Sequence, residues 1–86
     1  MTESVFQMST RDINQAAIAK AAGYLVETVK QAGSRRAVFY FADNREIRDL
    51  LEKYETREVL PIPAKTILNA RTELFFLATK AIREAL

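Results

Sequence analysis

The sequence predicts a small α+β domain in which an antiparallel hairpin packs against three helices, in the order β-α-β-β-α-α. Two extended runs meet at Ala32-Gly33-Ser34-Arg35, which is typical of a hairpin. Apolar residues recur at helical spacing after Asp43, and a longer helical pattern follows Pro63. The chain of 86 residues is expected to form one domain over residues 1–86.

The N-terminal part of the chain predicts one strand and one helix. Val5–Met8 is a short apolar run that is expected to form the first strand. Ser9-Thr10 supplies hydroxyl groups of the kind that cap a helix, and the helix is expected over Arg11–Ala22 and to stop at Gly23. The alanines of this segment allow the helix to lie close to its packing partners.

The pairing within the hairpin follows from its loop. A two-residue loop at Gly33-Ser34 is expected to have type II′ geometry, and counting outward from it pairs Thr28 with Phe39. Phe39 and Phe41 then share one face, which we expect to be the core side. The opposite face is either solvated or meets a partner. Its apolar members are Val29, Val38 and Tyr40.

The second half of the chain begins with a clear helix signal. Asp43–Glu46 has the D-x-x-E pattern of a capping box, and the residues after it place an apolar stripe at helical spacing. That stripe consists of Ile47, Leu50, Leu51 and Tyr54. Glu55–Ile62 breaks the pattern, and the Pro61-Ile62-Pro63 sequence favours an extended connector. Its apolar residues are expected to lie against the core, namely Val59, Leu60 and Ile62.

The last helix is expected over Ala64–Leu86, and two of its residues do not fit its amphipathic pattern. Arg71 projects into the apolar stripe and is expected to reach its edge, with Glu27 or Asp12 as a partner. Phe76 projects into the polar arc, either as the edge of a broad buried stripe or as an exposed anchor for a second copy or another protein. The expected apolar stripe consists of Ile67, Leu74, Phe75, Ala78, Ala81, Ile82 and Ala85.

Composition narrows the classes of function. The chain has no cysteine and no histidine, which removes the thiolate nucleophile, the commonest general base and the commonest transition-metal ligands. Its 49% hydrophobic and 28% charged residues are those of an ordinary globular domain, and no run is long enough to span a membrane. No signal peptide begins at Met1, so a cytoplasmic location is expected. Glu46 and Asp49 share a helical face with several cations, which indicates a solvated surface. We therefore expect no enzyme, no cofactor, no metal site and no membrane partner.

Two surfaces remain as candidates for binding. Lys30, Arg35 and Arg36 give the hairpin a basic tip, which is either a solvated turn or a contact for nucleic acid. In the second case Tyr40 adds a stacking surface on the side of Arg36. We expect a small binding module that contacts nucleic acid through this tip. The alternative is a protein–protein or self-association module, such as a homodimer, that uses Phe76 or Tyr40 and binds no nucleic acid.

The order of these features resembles a family of short, uncharacterised domains from bacteria, archaea and their phages, a domain of unknown function. The resemblance covers residues 6 to about 80. It is carried by Ser9/Thr10 with Asp12-Ile13, Gly23, Phe39-Tyr40-Phe41, Leu50 to Tyr54, and Val59 through Pro63 into the helix with Arg71 and Leu74. The resemblance supports the order of elements and implies a phage or mobile-element context. It supplies no catalytic residue.

Overall fold

A computed structural model describes residues 8–84 of the chain. Within these residues the order of elements is β-α-β-β-α-α, so the predicted α+β fold is confirmed. The elements are β1 (Met8–Thr10), α1 (Ile13–Ala21), β2 (Glu27–Lys30), β3 (Ala37–Phe41), α2 (Arg45–Glu55) and α3 (Ala64–Glu84).

The three strands form one antiparallel sheet with β3 in the centre, in the order β1-β3-β2. Thr28 pairs with Phe39, as the sequence predicts. Phe39 and Phe41 are buried, which confirms that their side of β3 faces the core. Helices α1, α2 and α3 supply most of the rest of the core. α1 and α3 cover this side of the sheet, and α2 packs against α1.

The turn of the hairpin differs from the predicted type II′ loop. The Gln31 amide donates to the Arg36 carbonyl at 2.8 Å, and the Ser34 amide donates to the Gln31 carbonyl at 3.2 Å. Gly33 therefore occupies the third position of a turn that starts at Gln31, where its φ of +71° is readily adopted by glycine. The loop thus has four residues, 32–35, instead of two. Both loops are centred on the same pair of residues, and for this reason the predicted register is correct although the turn type is wrong.

The first strand ends later in the chain than predicted. Of the predicted strand Val5–Met8, residues 5–7 lie outside the described residues, and within the described range β1 continues past Met8 to Thr10. Thr10 pairs with Phe39 in the sheet instead of capping α1. The N-cap is Asp12, whose carboxylate accepts from the Asn14 amide at 2.8 Å. A helix cap at Thr10 would satisfy one backbone amide. Pairing with β3 satisfies more backbone groups, because it gives the central strand a hydrogen-bonded neighbour on its second side.

The middle of α1 is buried on all sides. Ala16, Ala17 and Ala19 have no exposed surface and Ile18 is 2% exposed. The helix packs against α2, α3, β1 and β3, so four of the five other elements contact it. A helix that is covered all round needs small side chains where its neighbours approach most closely, and alanine meets that need.

The end of α1 follows the predicted stop at Gly23. The Gly23 amide donates to the Lys20 carbonyl at 3.0 Å, and the Tyr24 amide donates to the Ala19 carbonyl at 3.1 Å. With a φ of +99° at Gly23, this is a Schellman motif. It turns the chain from α1 into β2.

The prediction that Asp43 caps α2 is wrong. Asn44 is the N-cap of α2, and its side-chain oxygen accepts from the Ile47 amide at 2.9 Å. Asp43 instead receives two hydrogen bonds of 2.6 Å from Nε and Nη2 of Arg48. A planar guanidinium one turn into the helix matches both carboxylate oxygens at once, which a single backbone amide cannot do. The bidentate pair connects the end of β3 to α2.

The connector after α2 begins with a left-handed residue that is not glycine. Arg57 has a φ of 61°, and its amide donates to the Tyr54 carbonyl at 3.2 Å. Of the apolar residues in this connector, Leu60 and Ile62 pack against the core as predicted. Val59 does not, since it is 92% exposed. It immediately follows the tight turn at Arg57, which directs the chain back to the surface.

The buried face of α3 is narrower than the sequence predicts. Ala70 and Leu74 are buried, and Ile67 and Ala78 pack against the core, but Phe75 is 58% exposed. The predicted apolar members Ala81 and Ile82 are half-buried, and Ala85 lies outside the described residues. Only one side of α3 meets α1 and the sheet, so a stripe as wide as the predicted one is not covered.

Arg71 lies at the edge of the buried face of α3, but its predicted acidic partners are wrong. Its Nε donates to Oδ1 of Asn14 at 2.9 Å, and the residue is exposed. Asn14 faces α3 from the first turn of α1, whereas Asp12 is occupied as the cap of that helix. The guanidinium therefore hydrogen-bonds an amide, and among residues 8–84 it forms no ion pair.

Replacing Arg57 by glycine is expected to stabilise the fold. The left-handed conformation costs a residue with a Cβ about 1–2 kcal/mol, and glycine avoids this cost. Part of the gain is offset, because glycine also raises the conformational entropy of the unfolded chain. Arg57→Gly should raise the free energy of unfolding by about 0.5–1 kcal/mol in urea denaturation. Glu58→Gly, one residue later and without a positive φ, is the control and should destabilise the protein. A lower stability for Arg57→Gly would contradict the role assigned to φ at this position.

Enlarging an alanine at the centre of α1 is expected to destabilise the fold. Ala17 has no exposed surface, so a leucine there forces neighbouring elements apart, at a cost of about 1–3 kcal/mol. Thermal unfolding followed by circular dichroism measures the effect. Ala64→Leu, at the exposed start of α3, is the matched control and should change the stability little. Equal melting temperatures for the two variants would show that α1 is not tightly packed.

The pair of Asp43 and Arg48 is expected to make stability fall in acid. The hydrogen bonds from Arg48 hold the pKa of the Asp43 carboxyl below its ordinary value. A lowered folded-state pKa gives a contribution that is complete above the unfolded pKa, about 3.9, and is lost as the pH falls through the folded value. Arg48→Gln should therefore lower the melting temperature slightly at pH 5–7, and the difference from the native chain should disappear in stronger acid. Arg45→Gln, which removes an exposed cation from the same helix, should show no such pH dependence.

Candidate nucleic-acid interface

One face of the sheet has no helix packed on it within the described residues. Phe39 and Phe41 point to the helices, so their neighbours on β3 point the other way. Val29, Val38 and Tyr40 lie outside the hydrophobic core, and Val29 is 39% exposed. We call this side the outer sheet face.

The structure separates the four residues that the sequence proposes for nucleic acid. Arg36 and Tyr40 lie on the outer sheet face, at two ends of a row that has Val38 between them. Arg35 lies in the exposed loop. Lys30 pairs with Ala37 on the core side of the hairpin, and its Nζ lies 3.4 Å from the Gln31 carbonyl. The tip is therefore basic on both sides, but only the arginine side adjoins Tyr40.

Arg11 belongs to this surface and was not among the candidate residues. It lies in the short connection between β1 and α1, where it lines a shallow hollow together with Ser9, Gln31, Val38 and Tyr40. The antiparallel register of β1 and β3 places Ser9 opposite Tyr40. Two residues further along β1, the same register brings Arg11 to the level of Val38. The pairing of β1 with β3 is the signal that could have identified Arg11. A first strand predicted to end at Met8 does not bring Arg11 next to β3. We call Arg11, Arg36, Val38 and Tyr40 the basic platform.

The cations of this region have no acidic partners among residues 8–84. The ion pairs in that range are Lys20 with Glu73, Arg48 with Asp43, and Lys80 with Glu84. Arg11, Arg35 and Arg36 are exposed. Glu27, which pairs with Tyr40, is the acid on the neighbouring strand β2. The positive charge of the tip is therefore available to an anion.

Phe76 lies on another surface. It is 69% exposed on α3, so the interpretation that it forms the edge of a buried stripe is wrong. Its ring meets that of Phe75 edge to face, with 6.5 Å between the ring centres. Tyr40, the other residue proposed for an interface, lies in the hollow of the outer sheet face and not beside Phe76. The two proposed interface residues therefore do not form one contact surface.

A hollow of about 440 Å³ lies on the helix side, between the end of α1, α2 and the start of α3, and Glu46 is its one ionisable lining residue. No three acidic side chains of the described chain stand close enough to hold a metal ion. None of the helices in the described range is both long and apolar enough to cross a bilayer.

Residues 7–74 match the model of a protein family described as a domain of unknown function, DUF5659. The chain belongs to this family. No curated protein and no solved structure shows a significant match to it. The match with DUF5659 ends at Leu74, in the middle of α3. It therefore includes the whole sheet and the basic platform, whereas Phe75 and Phe76 lie just beyond it.

Proposed function

We propose that this DUF5659 protein is a non-enzymatic binding module that contacts nucleic acid through the hairpin tip and the basic platform. The observation that supports the proposal is the open sheet face, on which Tyr40 adjoins Arg11 while Arg36 and Arg35 continue the positive charge to the tip. Guanidinium groups without acidic partners are suited to bind phosphates.

The shape of the surface is consistent with two modes of contact. A two-stranded ribbon with arginines at its tip fits the major groove of a duplex. An open sheet with a tyrosine at its centre fits single strands, because a base stacks on an aromatic ring while cations hold the backbone. The half-buried position of Tyr40 in a shallow hollow that Arg11 also lines favours the second mode, since a stacking ring and a cation then lie side by side.

The non-enzymatic part of the proposal rests on the chemistry of the side chains. The chain has no histidine and no cysteine, and Glu46 is the single ionisable residue that lines the hollow between α1, α2 and the start of α3. The proposed biological setting is that of an accessory protein of a phage or mobile element. The identity of the neighbouring open reading frames tests this setting.

Removing the two arginines of the tip is expected to weaken nucleic-acid binding and its salt dependence. With Arg35→Ala and Arg36→Ala, two phosphate contacts are lost, so the slope of log affinity against log salt should become shallower by roughly 1.5. Fluorescence anisotropy with labelled oligonucleotides over a salt series measures both effects. The charge-matched control is Arg45→Ala with Lys53→Ala on α2, which should leave the slope almost unchanged. No binding by the native chain at low salt, or equal loss in both double variants, would refute the proposal.

Replacing Tyr40 distinguishes the two modes of contact. Tyr40→Leu keeps an apolar side chain in the strand but removes the aromatic ring, and it should cost about 1–3 kcal/mol of binding to a single strand. Binding to a duplex through the tip should change much less. Val29→Leu, on the same face but on the edge strand β2, is the control for general changes to the sheet. A larger loss with duplex than with single strand would contradict the stacking mode.

A further inference from the structure

α3 has a second apolar stripe on the side that faces away from the core. Its members recur at positions i, i+4, i+7, i+8 and i+11, which places them on one face of a helix. We call this set the outer stripe of α3. It consists of Leu68, Thr72, Phe75, Phe76 and Thr79.

The outer stripe is more apolar than its sequence indicates. Leu68 is 61% exposed and Phe76 is 69% exposed. The two threonine hydroxyls donate to carbonyls of their own helix: Thr72 to Leu68 at 3.0 Å, and Thr79 to Phe75 at 2.9 Å. With their hydroxyls used in this way, the threonines present their methyl groups to the surface. Two aromatic rings, a leucine and two methyl groups therefore form a continuous exposed patch, which is typical of a binding surface.

The charges next to the outer stripe are positive. Lys65 and Arg83 lie within about 40° of its centre at 100° per residue, and neither is in an ion pair among the described residues. The acids of α3 are Glu73 and Glu84, which lie more than about 100° away around the helix. Both are already paired, Glu73 with Lys20 at 3.3 Å and Glu84 with Lys80 at 3.8 Å. An occupant of the stripe thus meets apolar surface bordered by uncompensated cations.

This charge pattern argues against a second copy of the chain as the occupant. If two outer stripes pair antiparallel about their centre, Lys65 of one copy lies near Arg83 of the other. If they pair parallel, each of these cations faces its own counterpart. Both arrangements place like charges together next to an apolar contact, where their repulsion is poorly screened. α2 does not complement the stripe either, because the residues it exposes are charged.

We infer that the outer stripe of α3 binds an amphipathic helix of a partner protein, whose apolar stripe is bordered by aspartate and glutamate. The partner's apolar residues cover Phe75, Phe76 and Leu68, and its acids pair with Lys65 and Arg83. This mode places an apolar helix face in a complementary surface and uses the charges for orientation and specificity. The inference does not depend on nucleic-acid binding, because the stripe and the basic platform share no residue.

The test uses two synthetic helical peptides of the same length as α3, each with leucines in a single stripe. One peptide has glutamate at the bordering positions and the other has lysine. Fluorescence anisotropy with the full chain should show binding of the glutamate peptide at least about tenfold tighter than that of the lysine peptide. Raising the salt concentration should reduce this difference.

Variants of the chain locate the binding surface. Phe75→Ser with Phe76→Ser should weaken binding of the glutamate peptide at least about tenfold, since it removes both aromatic anchors. The matched control is Leu25→Ser with Val59→Ser, two apolar residues that are 78% and 92% exposed outside α3. Circular dichroism confirms that each variant is folded.

Several outcomes would overturn the inference. Equal affinity for the two peptides, or equal affinity of the aromatic variant and the native chain, removes the proposed specificity. Dimerisation in analytical ultracentrifugation that the aromatic variant abolishes assigns the stripe to a second copy. Binding to phosphatidylcholine–phosphatidylserine vesicles that depends on Phe75 and Phe76, without binding to the glutamate peptide, assigns it to a lipid surface.

Discussion

The close packing around α1 is the constraint on which the rest of the structure depends. Residues 16–19 are all buried, and three of them are alanines, so α2, α3 and the sheet approach the helix axis closely. This thin central helix and α3 together cover one side of the sheet, and α2 packs against α1. Larger side chains at these positions would separate the elements and expose Phe39, Phe41 and Leu74, the largest contributors from the sheet and α3.

Within the described range 8–84, this arrangement leaves two surfaces without internal partners. The sheet is covered on its helix side alone among the described residues, so Tyr40, Val38 and the arginines near them remain accessible. α3 is the longest helix, and α1 and β2 cover only one side of it, so Phe75 and Phe76 stay exposed. The two surfaces differ in chemistry. One combines arginine with a single tyrosine on a rigid strand, and the other combines large apolar groups with bordering cations.

The candidate sites were predicted with uneven success, for reasons that lie in the geometry. Arg36 and Tyr40 were correctly placed on one face, because residues four apart on a strand share a side. Lys30 belongs to the basic tip, and the predicted register already places it opposite Ala37, on the core side of the hairpin. Arg11 was missed because it joins the platform through the pairing of β1 with β3, which no local pattern reveals. The exposure of Phe76 depends on how much of α3 its neighbours cover, and helical periodicity does not contain that information.

The sequence by itself determined the order of the elements, the register of the hairpin, the core face of β3 and the stop of α1 at Gly23. These features depend on local geometry: alternation along a strand, the centre of a loop, and the positive φ that glycine permits. Tertiary structure alone decided that Thr10 pairs in the sheet, that Asp43 binds Arg48 and that Arg71 meets Asn14. In each case a residue had two chemically adequate sets of partners, and the choice between them depended on which other element came within hydrogen-bond distance.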